Sequence, residues 1–163
     1  MSAPAPLAQP ALARPALVRL ARRHVALGLW ALLLFITLGA ALEGLHAFKA
    51  DAYLNAENEA RRLMWRLAHA HGTLLSLLHI VFGMLAGGGY FKGSSLLRLS
   101  SGALSAALLL LPCGFFLGGV VLRGGDPGPL VLLVPPGAVC LFAGVLLAAL
   151  SLDGGRDSDS AQG

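Results

Sequence analysis

Charge is scarce in this chain: only 12% of its 163 residues are Asp, Glu, Lys or Arg, about half the share a water-soluble domain carries. With 56% hydrophobic residues and a mean hydropathy of +0.75, it lacks the polar side chains to clothe a surface facing water. Cysteine is nearly absent. Cys113 and Cys140 lie inside apolar stretches with no CxxC or CxxH spacing, which excludes a disulfide framework or a zinc site read from spacing and leaves them as small hydrophobes. No GxSxG, HExxH or phosphate-loop pattern occurs. The glycines 87–89 follow an apolar run rather than opening one, so they read as a helix terminator and not a phosphate cradle. Ser100, Ser101 and Ser105, with Gly102, read as a small packing face, because a nucleophile needs a base and their own segment supplies none. The formal net charge is +4, yet the basic residues are scattered among apolar spans; without a contiguous stripe and interleaved aromatics, nucleic acid is excluded as a partner.

What is present is a set of four apolar blocks. Their length and lack of two-residue alternation suit helices and not a barrel, since backbone groups in a bilayer must pair internally. The fold class expected is all-α, a polytopic membrane protein with four transmembrane helices in an antiparallel bundle, spanning about 24–48, 61–86, 96–122 and 130–152. Residues 1–23 form an Ala/Pro-rich flank that turns basic with Arg14, Arg19, Arg22 and Arg23, and residues 153–163 form an acidic tail expected to be disordered. The uncharged run 25–42 exceeds the ~7–15 residues of a signal-peptide core, so it reads as a retained anchor. Pro135 and Pro136 leave two options for the last span, a start at the prolines or a kink there. Basic residues are more numerous on the side of the termini (Arg14, Arg19, Arg22, Arg23, Lys92, Arg98, Arg156) than on the other (Lys49, Arg61, Arg62, Arg123). Both termini are therefore expected in the cytoplasm, with the protein in the cell membrane, the inner one in a Gram-negative cell.

The segment 50–60 lacks Gly and Pro and favours helix, whereas 123–129 (RGGDPGP) reads as a tight turn. On a wheel of about 100° per residue, Arg61, Arg62, Trp65, Arg66, Gly72, Thr73, Ser76, His79 and Gly83 cluster within about 80° of His69, opposite Leu63, Leu67, Leu74, Leu78 and Val81. The polar face should look inward and the apolar face toward lipid. His71 lies about 200° from His69, so it should face lipid or another protein. On the first span, Glu43 and His46 are neighbours on a stripe that includes Gly28, Gly39 and Ala40. His24 reads as interfacial.

If the first two spans are antiparallel neighbours, Glu43, His46, Arg66 and His69 meet at one depth, roughly 9–12 Å inside the far-side interface. Such a cluster admits three uses. It can be a structural device in which Glu43 pairs with Arg66 for packing or assembly. It can hold a cofactor, with His46 and His69 (or His71) as haem ligands, or Glu43, His46 and His69 around a transition metal. It can relay protons or hold a small solute. The partners expected are the lipid bilayer and a membrane-protein partner or a second copy.

The stretch 42–83, LEGLHAFKADAYLNAENEARRLMWRLAHAHGTLLSLLHIVFG, resembles uncharacterised small bacterial four-helix membrane proteins. Within it, WRLAHAHG at 65–72 is similar to histidine-bearing helices of the haem-copper oxidase subunit I superfamily, which would imply haem ligation by His69 or His71. The chain is far shorter than that superfamily's helix set. A small membrane mutase of the hydroxylaminobenzene type is a further four-span resemblance.

Overall fold

The computed structural model describes residues 14–92 and 95–152. Most of the Ala/Pro-rich flank and the acidic tail lie outside the described residues. Four helices are long and apolar enough to cross a membrane, so the chain is an all-α, polytopic membrane fold.

Helix α1 (Arg14–Ala47) is 34 residues long and runs unbroken through Gly28, Gly39 and Gly44. There the chain turns through Lys49 at φ 51°, a left-handed position usually given to glycine. Ala50 N–H bonds to the Leu45 carbonyl and Lys49 N–H to that of His46, which satisfies two of the helix's last acceptors. A short helix α2 (Asp51–Leu54) and a 3-10 turn (Ala56–Asn58) follow, in line with the helical bias of 50–60.

Arg62 fastens this connection by donating to the carbonyls of Tyr53, Leu54 and Asn55 at 2.9–3.1 Å. Helix α3 (Glu59–Gly87) then returns and ends at Gly88 and Gly89, the latter at φ 78°, where the glycine run was expected to stop it. Helix α4 (Ser95–Val120) contains Pro112. Arg123 and Asp126 bond each other's backbone across Gly124 and Gly125, both at positive φ, which makes 123–126 a tight two-residue hairpin turn. A 3-10 turn (Pro129–Leu133) leads into α5 (Val134–Leu150). The last α-helix thus starts at the prolines rather than kinking over them, because proline fits the first turn, where its missing donor is not needed.

The spans neighbour one another in the order α1, α3, α4, α5, and among the described residues α1 makes no close backbone approach to α4 or α5. Helix α3 is therefore covered on two sides. Glycines set the closeness of its packing: a Cβ on Gly28 would meet Ser76 O at 2.7 Å, and one on Gly83 would meet Ala21 O at 2.8 Å. One apolar cluster joins Phe35, Met64, Ala68, Leu75, Leu111 and Phe115; a second, nearer the termini, joins Ala21, Phe82, Ala86, Phe91, Leu97 and Leu104. Lys92 N–H donates to the Ser151 carbonyl at 2.8 Å and ties the α3–α4 loop to the end of α5.

Candidate functional site

Two polar sites lie in this row of helices. The first is at the far side, away from the termini. Glu43 and His46 near the end of α1, and Arg66 and His69 near the start of α3, all line one cleft of about 1070 Å³, together with Tyr53 of α2 and Arg62. They share the cleft without bonding one another: the side chains of Glu43, His46 and Arg66 are exposed, and among the described residues none of the three carries a side-chain hydrogen bond or ion pair. Nor does any group of three His, Cys, Asp or Glu among the described residues stand close enough to hold a metal ion.

His69 is the ordered member of the set. Its ring packs against Gly39, where any Cβ would collide with it, and its Nδ1 donates to the Phe35 carbonyl at 2.7 Å. A carbonyl oxygen only accepts, so Nδ1 carries the hydrogen, and in that tautomer Nε2 is the ring's acceptor. Imidazoles that ligate or accept protons are commonly oriented by such a bond from the other ring nitrogen to a carbonyl. His71 also donates from Nδ1, to Leu67 O at 2.9 Å, but on the opposite side of α3, where its ring lies 4.8 Å from that of Phe115. It faces α4 and is half-buried, because α3 is an interior helix of the row and not an outer one.

On α3, Leu63, Leu74 and Val81 are exposed as expected and Gly72, Ser76, His79 and Gly83 are buried, but Leu67 and Leu78, expected to meet lipid, are partly buried against the apolar core. Arg61 has a different task from a free interfacial charge. It donates to Gly119 O and Ala52 O, each at 3.1 Å, and sits over the Trp65 ring, which in turn stacks between Tyr53 and Phe116.

The second site lies near the termini. His24 of α1 and His79 of α3 are fully buried and stacked, with Nδ1 to Nδ1 at 2.8 Å, and His24 Nε2 is 2.7 Å from Ser101 Oγ on α4. His79 Nε2 reaches the Leu104 carbonyl at 3.2 Å, so it carries a hydrogen. With both rings neutral, one arrangement then satisfies every bond: Ser101 donates to His24, His24 donates to His79, and His79 donates to the carbonyl. The chain of bonds starts on α4 at Ser101, passes through α1 and α3, and ends on a backbone acceptor of α4.

The reading of His24 as interfacial missed this. The signal was available in the seven-residue repeat Ala21, Gly28, Phe35, Leu42, all buried, which puts His24 on the same inner seam. The base that Ser101 lacks on its own helix comes from α1. Compared with family models, curated proteins and solved structures, the chain matches none.

Proposed function

We propose that this integral membrane protein holds a small amphiphilic solute in the far-side cleft. The observation that carries the reading is the convergence of an acid, two arginines and two imidazoles on one cleft of about 1070 Å³ while Glu43, His46 and Arg66 stay unbonded to one another. Groups meant only to neutralise each other for packing would be expected to close into an ion pair, since a lone charge near hydrocarbon is costly. Groups meant for a ligand leave their bonding capacity open and are aligned by others, as His69 is by Phe35 and Gly39.

One observation favours a second reading. His69 lines the cleft with Nε2 unbonded, and His46 lines it from the facing helix, which is the donor set of a haem held between two helices. A packing role within a larger assembly gives a third, distinguishable result. The test is to purify the full chain in mild detergent and record its absorption spectrum and native mass, beside Ala40→Trp, which fills the cleft from an exposed position on its wall.

A retained small molecule that is lost in Ala40→Trp supports solute binding, and a Soret band lost in His69→Ala supports haem. A co-purifying protein with no small molecule in either sample overturns both in favour of assembly.

A further inference from the structure

The position of the cleft along the helices says what kind of solute it meets. Counting from helix ends overstates its depth, because α1 has 34 residues and, at about 51 Å, projects well beyond a ~30 Å hydrocarbon layer. The charge-free stretches are the better ruler. On α1 no charge occurs between Arg23 and Glu43, and the run 25–42 between them is about 27 Å long, close to the hydrocarbon thickness itself. On α3 Arg66 is the last charged residue before an uncharged run that reaches to Lys92. Glu43 and Arg66 therefore mark the far edge of the hydrocarbon layer, and the mouth of the cleft lies at headgroup level.

Two features of the cleft restrict its occupant further. Its charges are of opposite sign and come from opposite walls, the carboxylate from α1 and the guanidinium groups of Arg62 and Arg66 from α3. A purely anionic head would bring its charge against Glu43, and a purely cationic one would face two arginines; a group carrying both signs satisfies both walls. Apart from His46, His69 and Tyr53 its remaining lining is apolar, and Ile36 and Leu63 are at once part of that lining and more than half exposed on the outer surface. The polar cleft is thus continuous with a surface suited to acyl chains.

We infer that the cleft receives the zwitterionic phosphoamine headgroup of a phospholipid from the far leaflet, its ammonium against Glu43 and its phosphate against Arg66. The inference rests on the proposed solute-binding reading and names its ligand class. His69, which also lines the cleft, has Nε2 as a further acceptor for an ammonium hydrogen, whereas Arg62, with one terminal nitrogen already shared among three carbonyls, contributes mainly charge.

The test uses delipidated full-length protein titrated by native mass spectrometry with three probes: phosphatidylethanolamine, phosphatidylglycerol of the same chains, and soluble phosphoethanolamine. The expected result is about tenfold tighter binding of the amine lipid than of the glycerol lipid. Glu43→Gln should erase that preference while binding of the glycerol lipid persists, and Arg66→Gln should weaken both lipids. Phosphoethanolamine should bind far more weakly than the lipid.

Equal binding of the two lipids by the wild type, or a preference that Glu43→Gln leaves intact, overturns the zwitterion assignment alone. Phosphoethanolamine binding as tightly as the lipid overturns the leaflet as its source. No lipid or solute binding that Ala40→Trp removes would overturn the cleft reading itself. Thermal midpoints matching the wild type show that the Gln variants are folded.

Discussion

His24 is bonded through both ring nitrogens, to His79 on one side and Ser101 on the other, and none of the three side chains has more than slight contact with the surface. Replacing His24 by Ala orphans two buried polar groups and leaves a cavity, so a loss of about 3 kcal/mol is expected, read as a lowered unfolding midpoint in detergent. Ser101→Ala leaves only one ring nitrogen without a donor and should cost about 1 kcal/mol. Thr73 gives the opposite sign. Its buried hydroxyl has no partner among the described residues, so Thr73→Val, nearly the same shape, should raise the midpoint by the equivalent of about 1 kcal/mol. At this scale the far-side residues were legible in the sequence because Glu43/His46 and Arg66/His69 each sit three apart, and helical spacing alone puts such pairs on one face. The buried triad was not, because its members are 55 and 77 positions apart and no local period connects them.

Helix boundaries and contacts carry the next set of consequences. Gly28 and Gly83 lie in the α1–α3 contact, and the atoms a Cβ would strike there include backbone, which cannot swing aside. Gly28→Ala should therefore force the helices apart and cost about 2 kcal/mol. Gly102 has nothing within reach of a Cβ, so Gly102→Ala on the same assay should be neutral or stabilising by about 0.5 kcal/mol through helix propensity. The end of α1 offers a gain: Lys49 holds φ 51°, which costs a side-chain-bearing residue about 1 kcal/mol that Lys49→Gly should largely recover. Element starts and stops were readable where glycine and proline act locally, at Gly88 and Gly89 and at Pro135 and Pro136. The extent of α1 was less so, since the apolar pattern marks the hydrocarbon crossing and not the helical turns that continue past it.

For the molecule as a whole, an even number of crossings puts the loop 121–128 and the α2 connection on one side and the chain ends on the other. Single cysteines at Glu57 and Gly125, in a background with Cys113 and Cys140 replaced, should react with an impermeant maleimide from one face of the membrane only, and cysteines at Arg14 and Arg98 from the other. Labelling of Glu57→Cys and Arg98→Cys from the same face would overturn the four-crossing arrangement.

The solvent, the helical class and the count of crossings were determined by the amino-acid sequence alone, because each is a sum over consecutive residues: hydropathy, run length and distance between charges. Which helices touch was decided only in three dimensions. Placing α3 between α1 and α4 gives His71 a protein neighbour, gives His24 its two partners, and leaves Glu43 facing Arg66 across an open cleft. A side chain's period says which way it points from its own helix; what it meets there depends on the order in which the helices assemble, and that order is a balance of packing over the whole chain.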